Sequence, residues 1–197
     1  MQSHNLAVSG GSENADFRIA GNYLSQDGVL VNTGFERYNF RANSNFKVGT
    51  LKIGESMSTS FTEKLPELSS GGRSSLERAI KMAPYLGVYN DANVGGYEGV
   101  DNNIDLQDAE NPVRVQSHPE WTEKRYNFLG SIYAELEIIP GLTLKGQAGL
   151  DYWNFKNDYF TASYSSGATP QDFAAIELNT GTHTQVTVNS SLTYTKQ

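Results

Sequence analysis

From Trp121 to Trp153 apolar and polar residues alternate almost one by one. Tyr126, Phe128, Gly130, Ile132, Ala134, Leu136 and Ile138 fall on one side. Arg125, Asn127, Ser131, Tyr133, Glu135 and Glu137 fall on the other, with Leu129 out of pattern. After Ile139-Pro140-Gly141 the alternation resumes, with Leu142, Leu144, Gly146, Ala148, Leu150 and Tyr152 against Thr143, Lys145, Gln147, Gly149 and Asp151. A period of two over this length is a strand pattern and excludes a helical stripe. If Ile138 faces Leu142 across a three-residue loop, Phe128 lies opposite Tyr152 and Glu135 opposite Lys145. That register puts an aromatic pair on one face and an ion pair on the other. Both strands exceed the usual length of about five or six residues. They reach the roughly 9–11 residues that a tilted strand needs to cross a bilayer.

The rest of the chain follows the same grammar. Strands are predicted over 4–10, 15–25, 37–48, 51–63 and 182–195, making an antiparallel meander of seven. The third strand sets Tyr38, Phe40, Ala42, Phe46 and Val48 against Asn39, Arg41, Asn43, Asn45 and Lys47. Gly49-Thr50 is a two-residue hairpin turn, and pairing Val48 with Leu51 sets Tyr38 against Phe61. Glu55 breaks the apolar face of the fourth strand. Connections alternate in length: 10–14 short, 26–36 medium, 49–50 short, 64–122 very long, 139–141 short, 157–181 long and polar around Gly167 and Gly181. A helix is predicted near 74–83, capped by Ser74 or Ser75 and stopped by Pro84. Short turns at one rim, long loops at the other and aromatics at the long-loop ends (Tyr23, Tyr38, Phe61, Tyr126, Phe128, Tyr152) match an outer-membrane barrel.

Composition narrows the choices. The 197 residues suffice for a sizeable core, and the lack of cysteine removes disulfides and thiolate metal sites. A net charge of -7 argues against a nucleic-acid partner. Mean hydropathy is -0.49, and no apolar run approaches a membrane helix, a test to which barrel strands are blind. Met1 leads straight into Gln2-Ser3-His4-Asn5, without a basic and then apolar leader.

Candidate chemistry is sparse. Asp101, Asn103 and Asp105 have the opening spacing of a calcium loop, but Leu106 and Pro112 stand where Gly and Glu belong. Glu135 and Glu137 lie two apart on one face, a spacing that raises glycosidase chemistry, with a Glu135–Lys145 ion pair as the plainer reading. His4, His118 and His183 sit on different elements and make no zinc set. No nucleophile elbow, phosphate loop or cofactor motif occurs. Tyr85, Tyr89, Tyr97 and Trp121 flank the long loop and could stack on a sugar or pack a partner. The chain reads as a non-enzyme.

Alternation alone does not decide which face is inside. In a self-contained soluble barrel or sandwich, binding a ligand through 64–122, the apolar face is the core. In a membrane barrel that face meets lipid. A small eight-stranded membrane barrel would need one further strand. Motifs decide between these. His4 to Gly11 (HNLAVSGG), the aromatic strand ending at Gln26-Asp27-Gly28, Phe35 to Tyr38 (FERY) and Leu51 to Gly54 (LKIG) resemble the start of the barrel in SusC/RagA-like TonB-dependent transporters of Bacteroidetes. Residues 83–96, 111–114 and 138–152 fit the same family, so the resemblance spans nearly the whole chain. It implies about strands two to eight of a 22-stranded barrel, with 64–122 as an extracellular loop. The signal peptide, TonB box and plug of that family are not in this sequence, so the chain is expected to be a fragment of a longer barrel. The implied function is outer-membrane import of oligosaccharide or peptide cargo, carbohydrate uptake included. The implied partners are a SusD-like surface lipoprotein, TonB through the plug, and the lipid bilayer. Arg41, Asn43, Glu135, Lys145 and Gln147 would then line the lumen.

Overall fold

The computed structural model describes residues 1–70, 72–100, 104–105, 108–166 and 170–196. Asp101, Asn103, Leu106 and Gly167, singled out above, lie outside the described residues. One antiparallel sheet dominates, in the order β1 (Gln2–Gly11), β2 (Ala15–Asp27), β3 (Gly34–Val48), β4 (Leu51–Leu65), β7 (Glu120–Ile139), β8 (Leu142–Thr161) and β9 (Ala175–Tyr194). Each strand pairs with its neighbour in sequence once the insertion between β4 and β7 is set aside. That insertion holds a ribbon of β5 (Ser69–Ser70) and β6 (Arg73–Ser74), then the helices α1 (Ser75–Lys81) and α2 (Pro112–Ser117).

Registers follow the alternation. Tyr38 pairs with Phe61 and Val48 with Leu51, around a turn whose Gly49 has φ +60°. Gly at the first turn position is the type II′ requirement, which matches the twist of the strands. Phe128 pairs with Tyr152, and Glu135 with Lys145. The tip of that hairpin differs from expectation: Ile139, not Ile138, faces Leu142, after a one-residue shift following Glu137. Pro140-Gly141, with Gly141 at φ +82°, forms a turn of type II shape, whose twist does not match a hairpin. The bulge at Ile138 absorbs the mismatch. The Glu137 carboxylate accepts from the Gly141 N–H at 3.1 Å.

Strands also run past the predicted ends. β8 continues to Thr161 and β9 starts at Ala175, so the polar loop shrinks to 162–174, and the insertion shrinks to 66–119. Beyond the aromatic ends apolar residues such as Phe155, Tyr159, Phe160, Ile176 and Leu178 are mixed with polar ones, so the alternation loses its phase there. The backbone ladder persists, as in Asn157 opposite Asn179.

The apolar face is laid bare. Leu6, Phe17, Phe40, Ile132, Leu144 and Val188 are all exposed, Ile132 at 55%. They meet in no dry interior, which removes the soluble sandwich. His4, Tyr23, Tyr38, Phe61 and Tyr126 form one cross-strand row on this face. Successive ring centroids from His4 to Phe61 lie 6.2, 4.9 and 6.4 Å apart. From Tyr126 to Leu136, next to the short turns, the strand advances ten residues. At ~3.3 Å per residue and a tilt of about 40° this is about 25 Å, the height of the apolar band on membrane barrels. Glu55, the exception within the band, has a local partner: the Ser44 hydroxyl, directly across the ladder, donates to its carboxylate at 3.2 Å.

Among the described residues the buried apolar side chains are Leu68, Val100, Ala109 and Val115, and all four lie in the insertion. The protein's own core is therefore in its longest loop.

Candidate functional site

The polar face is organised in horizontal rows. Arg41, Ser58, Leu129, Asp151 and Gln185 form one row, and Asn43, Ser56, Ser131, Gly149 and Thr187 the next towards the short turns. Ser58 in the first row and Ser56, Ser131 and Gly149 in the second are small and leave a trough of about 440 Å³. Ser56 donates to the Asn43 Oδ1 at 2.7 Å, fixing one wall. Arg41 and Asp151 have no ion pair or hydrogen bond among the described residues.

One row lower, Tyr133 reaches across β4 to donate to the Asn45 Oδ1 at 2.9 Å, while the Asn45 Nδ2 donates to Asp16 at 2.9 Å. This crossing needs Gly54, since a Cβ there would run into the Tyr133 ring and Asn45. The Lys145 ammonium lies 4.8 Å from the Tyr133 ring centre and 2.7 Å from the Glu135 carboxylate. Asp16, Asn45, Tyr133, Lys145 and Glu135 thus form a belt from β2 to β8. Gln147 is beside Tyr133 in the ladder. With Glu135 held by Lys145 and Glu137 by its turn, the two carboxylates are not a free acid–base pair.

One row above the trough the face turns aromatic. The Trp153 ring stacks on His183 at 5.2 Å and on Phe155 at 6.1 Å. The Arg125 guanidinium lies 4.8 Å from the Trp153 ring centre. Phe155 lies over Gly181, where a Cβ would meet its ring. Sequence reasoning passed over this cluster, although Trp153, Phe155 and Leu129 are apolar residues in polar phase, which was the available signal.

The loops form a second unit. Glu110 bridges two guanidiniums, Arg78 at 2.6 Å and Arg114 at 2.7 Å, and all three side chains are at most 7% exposed. Arg114 also lies 3.8 Å over the Tyr164 ring. Asn111 caps α2 by accepting from Val113 N and Arg114 N, and its Nδ2 donates to the carbonyls of Val88 and Glu98. Gln116 accepts from Leu68 N and donates to Pro66 O, closing the base of the insertion. An Asn-Pro step is a helix-start signal, and it marks α2, which the sequence reading omitted.

Of the four flanking aromatics, Tyr89 and Tyr97 come together, ring centres 5.5 Å apart. Tyr97 continues edge-on to His118, and His118 to Tyr164. The Val94 N–H donates to the Ser165 hydroxyl and the Ser165 N–H to Val94 O, joining the insertion to the 162–174 loop. Burial pushes the Tyr97 hydroxyl's pKa up. Tyr85 stands apart, 70% exposed, donating to Asp105 at 2.5 Å, and that bond raises its pKa. Trp121 packs edge-on against Tyr159, away from the other three. No group of three or more metal-ligating side chains occurs among the described residues.

No family model matches this sequence. Among curated proteins, TonB-dependent receptor P3 of Formosa agariphila is 31% identical over 156 residues, 76% of this chain and 15% of the receptor. The chain belongs to the TonB-dependent receptors. TonB-dependent receptor P26 of the same organism is 28% identical over 161 residues, covering 81% of this chain and 16% of the receptor. The chain thus spans about a sixth of the length of these curated relatives. The RagAB peptide importer in its closed-closed state matches the fold with a TM-score of 0.61 at 20% identity, over 95% of this chain and 21% of the importer chain. A second RagAB peptide transporter structure matches with a TM-score of 0.55 at 16% identity, over 98% of this chain and 30% of that one. The seven-stranded meander is transporter-barrel wall, and its place is the outer membrane.

Proposed function

We propose that this chain supplies wall and outer loops to a TonB-dependent nutrient importer. The apolar face meets lipid and the polar face lines the conduit, with Arg41, Asn43, Glu135, Lys145 and Gln147 on its surface. The 66–119 insertion stands on the extracellular side, where a SusD-like lipoprotein covers it and cargo, an oligosaccharide or a peptide, passes between them. Energy comes from TonB acting on a plug elsewhere in the transporter. The barrel binds and conducts, with no covalent step. The observation that carries this reading is the bare apolar band, about 25 Å tall, under a continuous aromatic row.

Thiol labelling tests it, because the sequence has no native cysteine. In outer membranes, Ser131→Cys should react with a water-soluble maleimide, and Ile132→Cys only with a membrane-soluble one. The reverse pattern would turn the wall inside out and sink the proposal. Deleting 75–117 should release the lipoprotein partner during co-purification.

A further inference from the structure

The helix α2 ties together more of the molecule than its six residues suggest. Gln116 holds the start of the insertion, and Glu110, just ahead of the helix, holds α1 through Arg78. Asn111 holds the 88–98 turn. The remaining contacts of α2 leave the insertion. The Arg114 guanidinium lies 3.8 Å over the Tyr164 ring, and the His118 ring meets the same ring edge-on. The His118 Nε2 lies 3.2 Å from the Ala162 carbonyl oxygen. The 88–98 turn adds the two-way bonding of Val94 with Ser165, at 2.8 and 3.0 Å. Gly95, at φ +90°, permits this close approach, since a Cβ there would stand 3.1 Å from Tyr164 and 3.3 Å from His118.

Each loop lacks something that the other supplies. The Arg114 side chain is 3% exposed and spends a terminal nitrogen on Glu110, while its Nε meets no hydrogen-bond acceptor among the described residues. An aromatic face attracts a guanidinium most strongly where water is excluded, so the Tyr164 ring completes a charge group that belongs to the other loop. The 162–174 loop has no buried apolar side chain among its described residues, and Phe173 is 82% exposed. Its own backbone bonds there are the pair between Tyr164 and Gln171, so its order has to be borrowed. We propose that Tyr164 and Ser165 strap the 162–174 loop onto α2 and the 88–98 turn, making the two loops one cap that orders and loosens as a unit. The coupling free energy is the same in both directions, so a change in either loop is felt in the other. The inference concerns the loops alone and holds whatever the barrel conducts.

The test is amide exchange followed by mass spectrometry, on the transporter purified from outer membranes in detergent. Tyr164→Ala should speed exchange at least about threefold in 88–98 and 111–118, segments far from it in sequence. Glu110→Ala, in the insertion, should speed exchange in 162–166 by a similar factor. The two changes together should have less than the product of their separate effects, because both release the same cap. Tyr164→Phe keeps the ring under Arg114 and beside His118 and should leave the insertion as in the parent. Phe173→Ala, in the same loop but off the strap, should also leave it unchanged. Heat-modifiable migration on gels verifies that the wall of each variant is folded. As a second measurement, Val94→Cys with Ser165→Cys should be joined by a short bismaleimide in outer membranes. The strap is overturned if Tyr164→Ala and Glu110→Ala each loosen only their own loop, or if their effects simply multiply. It is also overturned if Tyr164→Phe or Phe173→Ala loosens the insertion as much as Tyr164→Ala does. Failure of the paired cysteines to bridge, when each alone reacts with maleimide, refutes it as well.

Discussion

The sheet and the 66–119 insertion put opposite chemistry in opposite places. The sheet leaves Phe40, Ile132 and Leu144 outside, while the insertion encloses Arg78, Glu110 and Arg114. In the sheet the backbone ladder satisfies the polar groups of the five inner strands, β1 and β9 being paired on one side each, and the bilayer supplies the apolar surroundings that a soluble protein would make for itself. The insertion stands in water and makes its own interior. That interior is small, with Leu68, Val100, Ala109 and Val115, so polar links carry much of its order. The lesson is that burial measured on the chain alone marks the loops as core and the wall as surface, and only the solvent assignment puts this right.

Removing the centre of the buried charge group gives the largest expected effect. Glu110→Ala leaves two enclosed guanidiniums without their carboxylate, which costs about 3–5 kcal/mol. Limited proteolysis should then cut within the insertion while the barrel keeps its heat-modifiable migration. Equal protection in variant and parent would mean that the charge group does not hold the loop.

Next comes the wall itself. Ile132→Arg places a charge in the apolar band and should destabilise by about 2–4 kcal/mol in a lipid refolding assay. Ser131→Arg, one residue away on the other face, should cost little. Equal penalties would erase the distinction between the faces. Asn111→Ala removes the α2 cap and takes the Asn111 donor from the Glu98 and Val88 carbonyls, of which Val88 O keeps the Glu98 N–H. A loss of about 2 kcal/mol, confined to the insertion, should appear as faster amide exchange in 88–98.

Smaller still is the belt on the polar face. Gly54→Ala should push Tyr133 off Asn45, costing about 1 kcal/mol and leaving the strand registers intact. The smallest effect is acidic. The hydrogen bond from Arg73, at 2.8 Å, holds the Asp108 carboxyl below its usual range. A depressed folded pKa gives stability that is complete above the unfolded value of about 4 and fades as pH falls through the folded one. Proteolytic protection of the insertion should therefore be flat from pH 7 to 5 and drop below about pH 4. Arg73→Gln should remove that pair's share of the drop.

The meander, the hairpin registers and the girdle were legible because each depends on the side chain at one position and its partner across the ladder. Phe128 opposite Tyr152 needs only a count from the turn. The bulge at Ile138 was not legible, because it depends on the twist of a Pro-Gly turn rather than on any side-chain pattern. The aromatic cluster around Trp153 escaped because it gathers residues from β7, β8 and β9: Trp153 and Phe155 stand in polar phase, but nothing on β8 alone places Arg125 and His183 beside them.

The sequence by itself determined the strands, their order and two chemically distinct faces, since a period of two is a local property of the chain. Tertiary structure decided the rest: that Arg41 and Asp151 share one row, that Tyr133 passes over Gly54, and that Glu110 is shut between two arginines. Those depend on segments far apart in the chain being brought within a few ångströms, a distance that no alternation pattern encodes.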